Sequence, residues 1–155
     1  MNVDIAYLKD YPQHLPLVAQ WIFNEWGHLN PGASLEKAKA KLSAHLNKDT
    51  LPITFIALEN NQPVGTCSLR INDGIRQELT PWLGSLYVSP TVRGRGLGEK
   101  LIESVINKAR NMGYPKLYLF AFDPTLPNWY QKLGWQGMGM DKLNGYPVSV
   151  MEKTL

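Results

Sequence analysis

Between Leu86 and Gly98 the chain gathers residues able to hold an anion. A short apolar run and Pro90 lead into Arg93-Gly94-Arg95-Gly96-Leu97-Gly98. Glycine permits positive φ and lets a ligand come close to the backbone. A helix opening at Leu97 turns its free N–H groups and partial positive charge toward that loop, which suits phosphate. Arg93 and Arg95 add full charges and forked donors. Loop, helix start and arginines together read as a cradle for a pyrophosphate. A glycine-rich turn with surface arginines is the plainer alternative.

Two nucleotide-binding patterns fail here on spacing. A phosphate-binding P-loop needs Gly-x-x-x-x-Gly-Lys-Ser/Thr. In this chain Gly94 and Gly98 are followed by Glu99-Lys100, and Leu101 stands where a hydroxyl should bind magnesium. A dinucleotide fingerprint needs Gly-x-Gly-x-x-Gly and an acidic residue about 20 positions on. The glycines here alternate as Gly94-x-Gly96-x-Gly98, and the region of Tyr114 and Lys116 is not acidic.

The elements that must position this loop alternate in type, which favours an α/β or α+β fold. Val3 to Leu8 reads as a strand. Pro12 to Trp26 carries apolar residues at helical spacing, and Ser34 is a candidate N-cap for a helix with the stripe Leu35, Ala38, Leu42 and Leu46. Lys37, Lys39 and Lys41 read as the solvated face of that helix. Ile53–Leu58 and Val64–Ile71 form two strands around a turn at Asn60-Asn61-Gln62-Pro63. Leu83–Val88 is a further strand, and Leu97–Met112 is the clearest amphipathic helix, stopped by Gly113. Leu117–Phe122 is apolar throughout, as a strand buried on both faces would be. Leu126–Leu133 allows a short helix, and Trp135–Met140 with Tyr146–Met151 allows a terminal hairpin across Asn144-Gly145. With no linker or internal repeat, residues 1–155 are expected to form one domain.

Two segments in this order resemble the GNAT superfamily of acetyl-CoA-dependent N-acyltransferases. Arg93-Gly94-Arg95-Gly96-Leu97-Gly98 matches its Gln/Arg-x-x-Gly-x-Gly/Ala signature, and Leu86-Tyr87-Val88-Ser89-Pro90 matches the strand before it. Trp129-Tyr130-Gln131-Lys132-Leu133-Gly134-Trp135 resembles the family's aromatic-Tyr-x-x-x-Gly-aromatic segment. The element order is similar over essentially the whole chain. The resemblance implies a mixed, mostly antiparallel central sheet flanked by helices, splayed between its fourth and fifth strands. It implies acetyl-CoA bound in that splay. Leu86, Tyr87 and Val88 would pair with the pantetheine amides as an added strand does. The N–H groups of Arg93, Gly94, Arg95, Gly96, Leu97 and Gly98 would hold the pyrophosphate. A strand-four N–H would polarise the thioester carbonyl.

The same resemblance assigns Tyr130 to protonating the departing thiolate. A phenol, with a pKa near 10, keeps its proton where a thiol near 8.5 begins to lose one. Asp123 stands where the family often has an Asn that holds pantetheine. Aspartate accepts a hydrogen bond but does not donate as an amide does, so Asp123 could equally face the substrate amine. No carboxylate lies in Leu83-Gly84-Ser85-Leu86 or Leu117-Tyr118-Leu119-Phe120. The base is then Glu25, His28, Glu78, Asp123 or a water chain. Glu25, Trp26 and His28 fall where the family fold overhangs its acceptor site, and an acid beside an aromatic suits a cationic amine.

The expected activity is direct transfer of acetyl from acetyl-CoA to a primary amine on a small molecule or peptide. The alternative is a non-catalytic acyl-CoA-binding sensor. Trp82 is expected in the core. Cys67 is expected to be an inert strand thiol, with no acyl-cysteine step. His14, His28 and His45 lack metal-ligand spacing, so no metal is expected.

Composition narrows the rest. The chain has 155 residues, 44% of them hydrophobic and 19% charged, which excludes disorder. One cysteine excludes a disulfide framework. No apolar run nears the roughly 20 residues that span a bilayer. Met1-Asn2-Val3-Asp4 shows no export signal, so a cytoplasmic protein without a membrane partner is expected. The terminal strands could pair between subunits as a homodimer. The net charge of +3 is local: residues 93–116 carry +4 and the remainder −1. Such concentration fits one small anionic cofactor better than nucleic acid, which calls for basic residues interleaved with aromatics along a face.

Overall fold

The computed structural model describes residues 2–155, so Met1 lies outside the described residues. In chain order the elements are β1 (Val3–Tyr7), α1 (Leu15–Trp26), α2 (Leu35–Ser43), β2 (Ile53–Glu59), β3 (Gln62–Arg70), β4 (Trp82–Val88), α3 (Leu97–Asn111), β5 (Lys116–Ala121), α4 (Leu126–Lys132), β6 (Gln136–Leu143) and β7 (Tyr146–Thr154). The strands make one sheet in the order β1-β2-β3-β4-β5-β7-β6. All neighbours are antiparallel except β4 and β5. That exception follows from α3, whose crossover returns the chain in the same direction.

Two hairpins close on asparagine-containing turns. Asn60 and Asn61, with φ of 51° and 64°, join β2 to β3, and Asn144-Gly145, at 51° and 84°, join β6 to β7. Positive φ at both central residues matches the right-handed twist of the flanking strands. Several ends differ from the sequence expectation by a residue or more. Leu8 leaves β1 for a 3₁₀ turn, and α1 begins at Leu15 after a separate turn at Pro12–His14. Ile71, 53% exposed, falls outside β3, and Phe122 falls outside β5. β6 runs on to Leu143, where Met140–Leu143 pair with Tyr146–Ser149 across the Asn144-Gly145 turn, beyond a register shift between Gly137 and Met140. Ser34 caps α2 as expected, its Oγ accepting from the Lys37 N–H at 3.1 Å. That helix stops at Ser43, short of Leu46. Its last carbonyls close into tighter turns as the chain swings His45 toward the sheet.

The two faces of the sheet bury different helices. On one, Leu101, Ile102, Val105, Ile106 and Ala109 of α3 pack against Phe55, Cys67, Leu69, Leu83, Leu117, Leu119 and Met151. Burying one such Leu or Ile stabilises by about 1.5–3 kcal/mol. On the other, Val18 and Ala19 of α1 and Leu42 of α2 cover Ile56 and Leu58. Trp82 is fully buried in a third cluster with Tyr118, Val148 and Val150, and its Nε1 donates to the Leu79 carbonyl at 2.7 Å. No helix among the described residues is long and apolar enough to cross a membrane.

β4 parts from β5 almost at once. Their only register pair is Trp82 with Tyr118, beside a bond from the Tyr118 N–H to the Pro81 carbonyl at 3.1 Å. The opposite edge of β4 carries a bulge. Ser68 faces Gly84 and Thr66 faces Tyr87, so Ser85 and Leu86 together oppose Cys67. Ser85 takes a left-handed φ of 52°. A bulge bends its strand, and here the bend accompanies the divergence of β4 from β5.

Candidate active site

Two concavities meet where the strands part. A narrow groove of about 500 Å³ is lined by Leu86, Tyr87 and Val88 of β4, by Arg93, Gly94, Gly96, Leu97 and Gly98, and by Trp129 of α4. A wider cleft of about 910 Å³ lies beneath the connection from α1 to α2 and reaches Ser85, Phe120, Phe122, Asp123 and Tyr130. Glu25, Leu86, Arg93 and Leu126 line both, so they mark the junction.

The groove has the backbone geometry that an anion cradle requires. Gly94 and Gly96 have φ of 82° and 77°, a region L side chains rarely adopt, and Gly96 is the N-cap of α3. No side chain caps that helix, which leaves its first N–H groups open to a ligand. Arg93 Nε donates to the Val88 carbonyl at 2.8 Å, and its guanidinium lies 5.6 Å from the Tyr87 ring centroid. Tyr87 in turn packs on Trp21 of α1 at 5.2 Å. Arg93 thereby ties the loop to the end of β4. Arg95 points elsewhere, pairing with Glu59 at 3.1 Å, and does not line the groove.

Tyr130 is 5% exposed, with its ring between Trp129 and Trp135 at 4.9 and 5.8 Å. It belongs to the core and also lines the wider cleft. Burial pushes its phenol well above the ordinary tyrosine range, so it holds its proton at neutral pH. Trp26 and His28 line the wider cleft with Glu25. Asp123 lines that cleft and not the groove, and its Oδ1 accepts from both the N–H and the hydroxyl of Thr125, at 2.8 and 2.7 Å. Those bonds hold its carboxyl below the usual range. Glu78 is exposed and lines neither concavity. Cys67 is buried, and burial pushes its thiol up to about 12, which leaves it un-ionised and inert. No cluster of metal-ligating side chains occurs among the described residues.

The floor of the wider cleft is a polar layer that sequence reasoning missed. His45 Nδ1 and Thr54 Oγ1 share a hydrogen bond of 2.9 Å, and Thr54 Oγ1 shares one of 2.7 Å with Ser68 Oγ. Two residues on, Arg70 donates to Asp73 Oδ1 at 2.7 Å and to Ser85 Oγ at 2.6 Å. Arg70 and Asp73 side chains are each 11% exposed. Gly84 is needed beneath them, because a Cβ there would lie 2.6 Å from Arg70 Nη1 and 2.9 Å from Asp73 Oδ2. Lys37 and Lys41 also line this cleft, which corrects their reading as a purely solvated face. The missed signal was the alternation Thr66-x-Ser68-x-Arg70 in a strand whose other face is apolar.

The acetyltransferase (GNAT) family model matches residues 11–135. This chain belongs to the GNAT acetyltransferase family. Its fold is similar to several solved GNAT structures. The Salmonella typhimurium protein yncA, solved with acetyl-CoA, shares 19% identity at a TM-score of 0.75, over 100% of this chain and 95% of that one. The aminoglycoside 6'-acetyltransferase type Ii shares 19% at 0.74, over 99% and 97%. An aminoglycoside 6'-N-acetyltransferase complexed with coenzyme A shares 17% at 0.74, over 99% and 97%. The acyl donor of the GNAT family is acetyl-CoA, and the groove fits it. Coenzyme A carries a pyrophosphate and an amide-bearing arm. The open N–H groups at the start of α3 suit the first, and the edge of β4 at Leu86–Val88 that no strand pairs, with Arg93 on the Val88 carbonyl, suits the second.

Proposed function

We propose that this acetyltransferase moves acetyl from acetyl-CoA to a primary amine by direct attack. The observation that carries the reading is Tyr130, a buried phenol held in its protonated state on the wall of the cleft that adjoins the cofactor groove. The amine lone pair attacks the thioester carbonyl carbon, and the carbon–sulfur bond breaks as the amide forms. The leaving sulfur takes the Tyr130 proton. A backbone N–H of β4 near Leu86 donates to the carbonyl oxygen as negative charge grows on it. Glu25, the carboxylate at the junction of groove and cleft, receives the proton that the amine sheds, directly or through water. The phenolate of Tyr130 regains its proton from solvent as coenzyme A leaves.

Thiol release from acetyl-CoA, followed over a panel of primary amines, tests the activity. The expected result is amine-dependent release of coenzyme A with one acetylated product per thiol. Binding of acetyl-CoA without release on any amine would instead identify a sensor and refute the proposal.

A further inference from the structure

Resting on the amine acetylation proposed above, we infer that the acceptor is an α-amino acid whose carboxylate pairs with Lys41 beside the Arg70 charge and whose amino group lies toward Glu25. The wider cleft is electrically divided. At its α2 and β3 end stand Lys41 and Arg70, with Lys37 beyond them, against the single carboxylate of Asp73. Asp73 is already engaged by Arg70. Lys41 makes no ion pair among the described residues, and Arg70 Nε is buried without a hydrogen-bond partner. Lys41, open to the cleft and without a counter-ion, is therefore the group free to receive an anion, and Arg70, held by Asp73 and Ser85, adds positive charge beside it.

The surroundings sharpen this. The protein around Lys41 and the neighbouring Arg70 charge together hold its ammonium below the ordinary lysine range, although the side chain still reaches solvent within the cleft. An incoming carboxylate relieves that repulsion. Arg70 is oriented by Ser85, the residue just before Leu86. The anion site therefore starts one residue from the strand edge proposed to hold the reacting carbonyl. That short spacing suits a molecule with amine and carboxylate on one carbon. Glu25 at the junction supplies negative charge on the amine side, and Phe120 and Phe122 offer an apolar wall to the rest of the molecule. A polycationic amine would meet Lys37, Lys41 and Arg70 with like charge.

The test compares free L-amino acids with their α-amides, their decarboxylated amines, spermidine and an aminoglycoside, using thiol release and product mass. At least one amino acid is expected to exceed its amide and its decarboxylated amine in kcat/KM by about tenfold or more, since a hydrogen bond to a charged group is worth that much. Lys41→Met is expected to erase most of that margin through KM. Calorimetric titration of the preferred amino acid into the coenzyme A complex gives a second reading, with binding weakened by about the same factor in Lys41→Met. Equal or better rates on amides, decarboxylated amines or polycations would overturn the inference while leaving amine acetylation standing. So would a Lys41→Met variant that keeps the margin. Acetyl-CoA binding with no amine acetylated would refute both.

Discussion

His45 makes the stability of this protein depend on pH in a calculable way. It is 3% exposed, bonded to Thr54, and faced by Lys41 from α2 and Arg70 from β3. Burial first, then those two cations, push its imidazole from 6.5 down to about 3. The unfolded chain thus binds a proton below about pH 6.5 that the folded protein refuses until about pH 3. The stability tied to neutral His45 is fully present above the higher value and is lost as pH falls through that window. Linkage gives a loss of about 2 kcal/mol between about pH 7.5 and pH 5, and about 3 kcal/mol by about pH 4. Urea unfolding at these pH values, for the wild type and His45→Asn, isolates the effect. Asparagine keeps a donor toward Thr54 and does not titrate. Asp73, whose carboxyl burial raises despite Arg70, contributes the opposite slope in both proteins and cancels in the difference. The wild type should lose about 2 kcal/mol more than the variant from about pH 7.5 to pH 5. Parallel losses in the two proteins would show that His45 does not stay neutral, and the account of the polar floor would fail.

Other perturbations separate the parts of the site. Tyr130→Phe should lower kcat by about 100-fold or more while leaving the Kd for acetyl-CoA nearly unchanged, as loss of a general acid does; unchanged turnover would remove Tyr130 from the reaction. Gly84→Ala pushes a methyl into the Arg70–Asp73 pair and should cost about 1–3 kcal/mol in urea unfolding, with KM rising for the amine more than for acetyl-CoA. Gly96→Ala forces a side chain into φ of 77° at the N-cap of α3 and should cost about 1–2 kcal/mol, together with weaker coenzyme A binding by calorimetry. Leu101→Ala, at a fully buried position on α3, should cost about 2–5 kcal/mol without altering amine preference.

Much of this protein was legible in its sequence because local rules wrote it. The stripe of α3, the Ser34 cap, the Asn144-Gly145 hairpin and the glycine loop each depend on residues a few positions apart. So does the cradle chemistry, since Gly94, Gly96 and the opening of α3 are neighbours in the chain. These local patterns, in their order, also point to the family that the comparison bears out over residues 11–135. The acceptor side was not legible in the same way. Lys41, His45, Arg70, Asp73 and Ser85 come from α2, the segment after it, β3, the loop beyond it and β4. Read singly, each passes as a surface lysine, a loop histidine or a strand polar residue. Arg95 and Lys41 even exchange the roles their spacing implies: the loop arginine turns out to Glu59, and the helix lysine faces the cleft. Sequence alone determined the elements, their order and the glycine loop that opens α3, because those follow from periodicity and backbone conformation. Only the tertiary structure decided which charges share the cleft, because the register of β3 and β4 and the bulge at Ser85 bring Arg70 and Ser85 within hydrogen-bond reach while α2 places Lys41 on the same cleft.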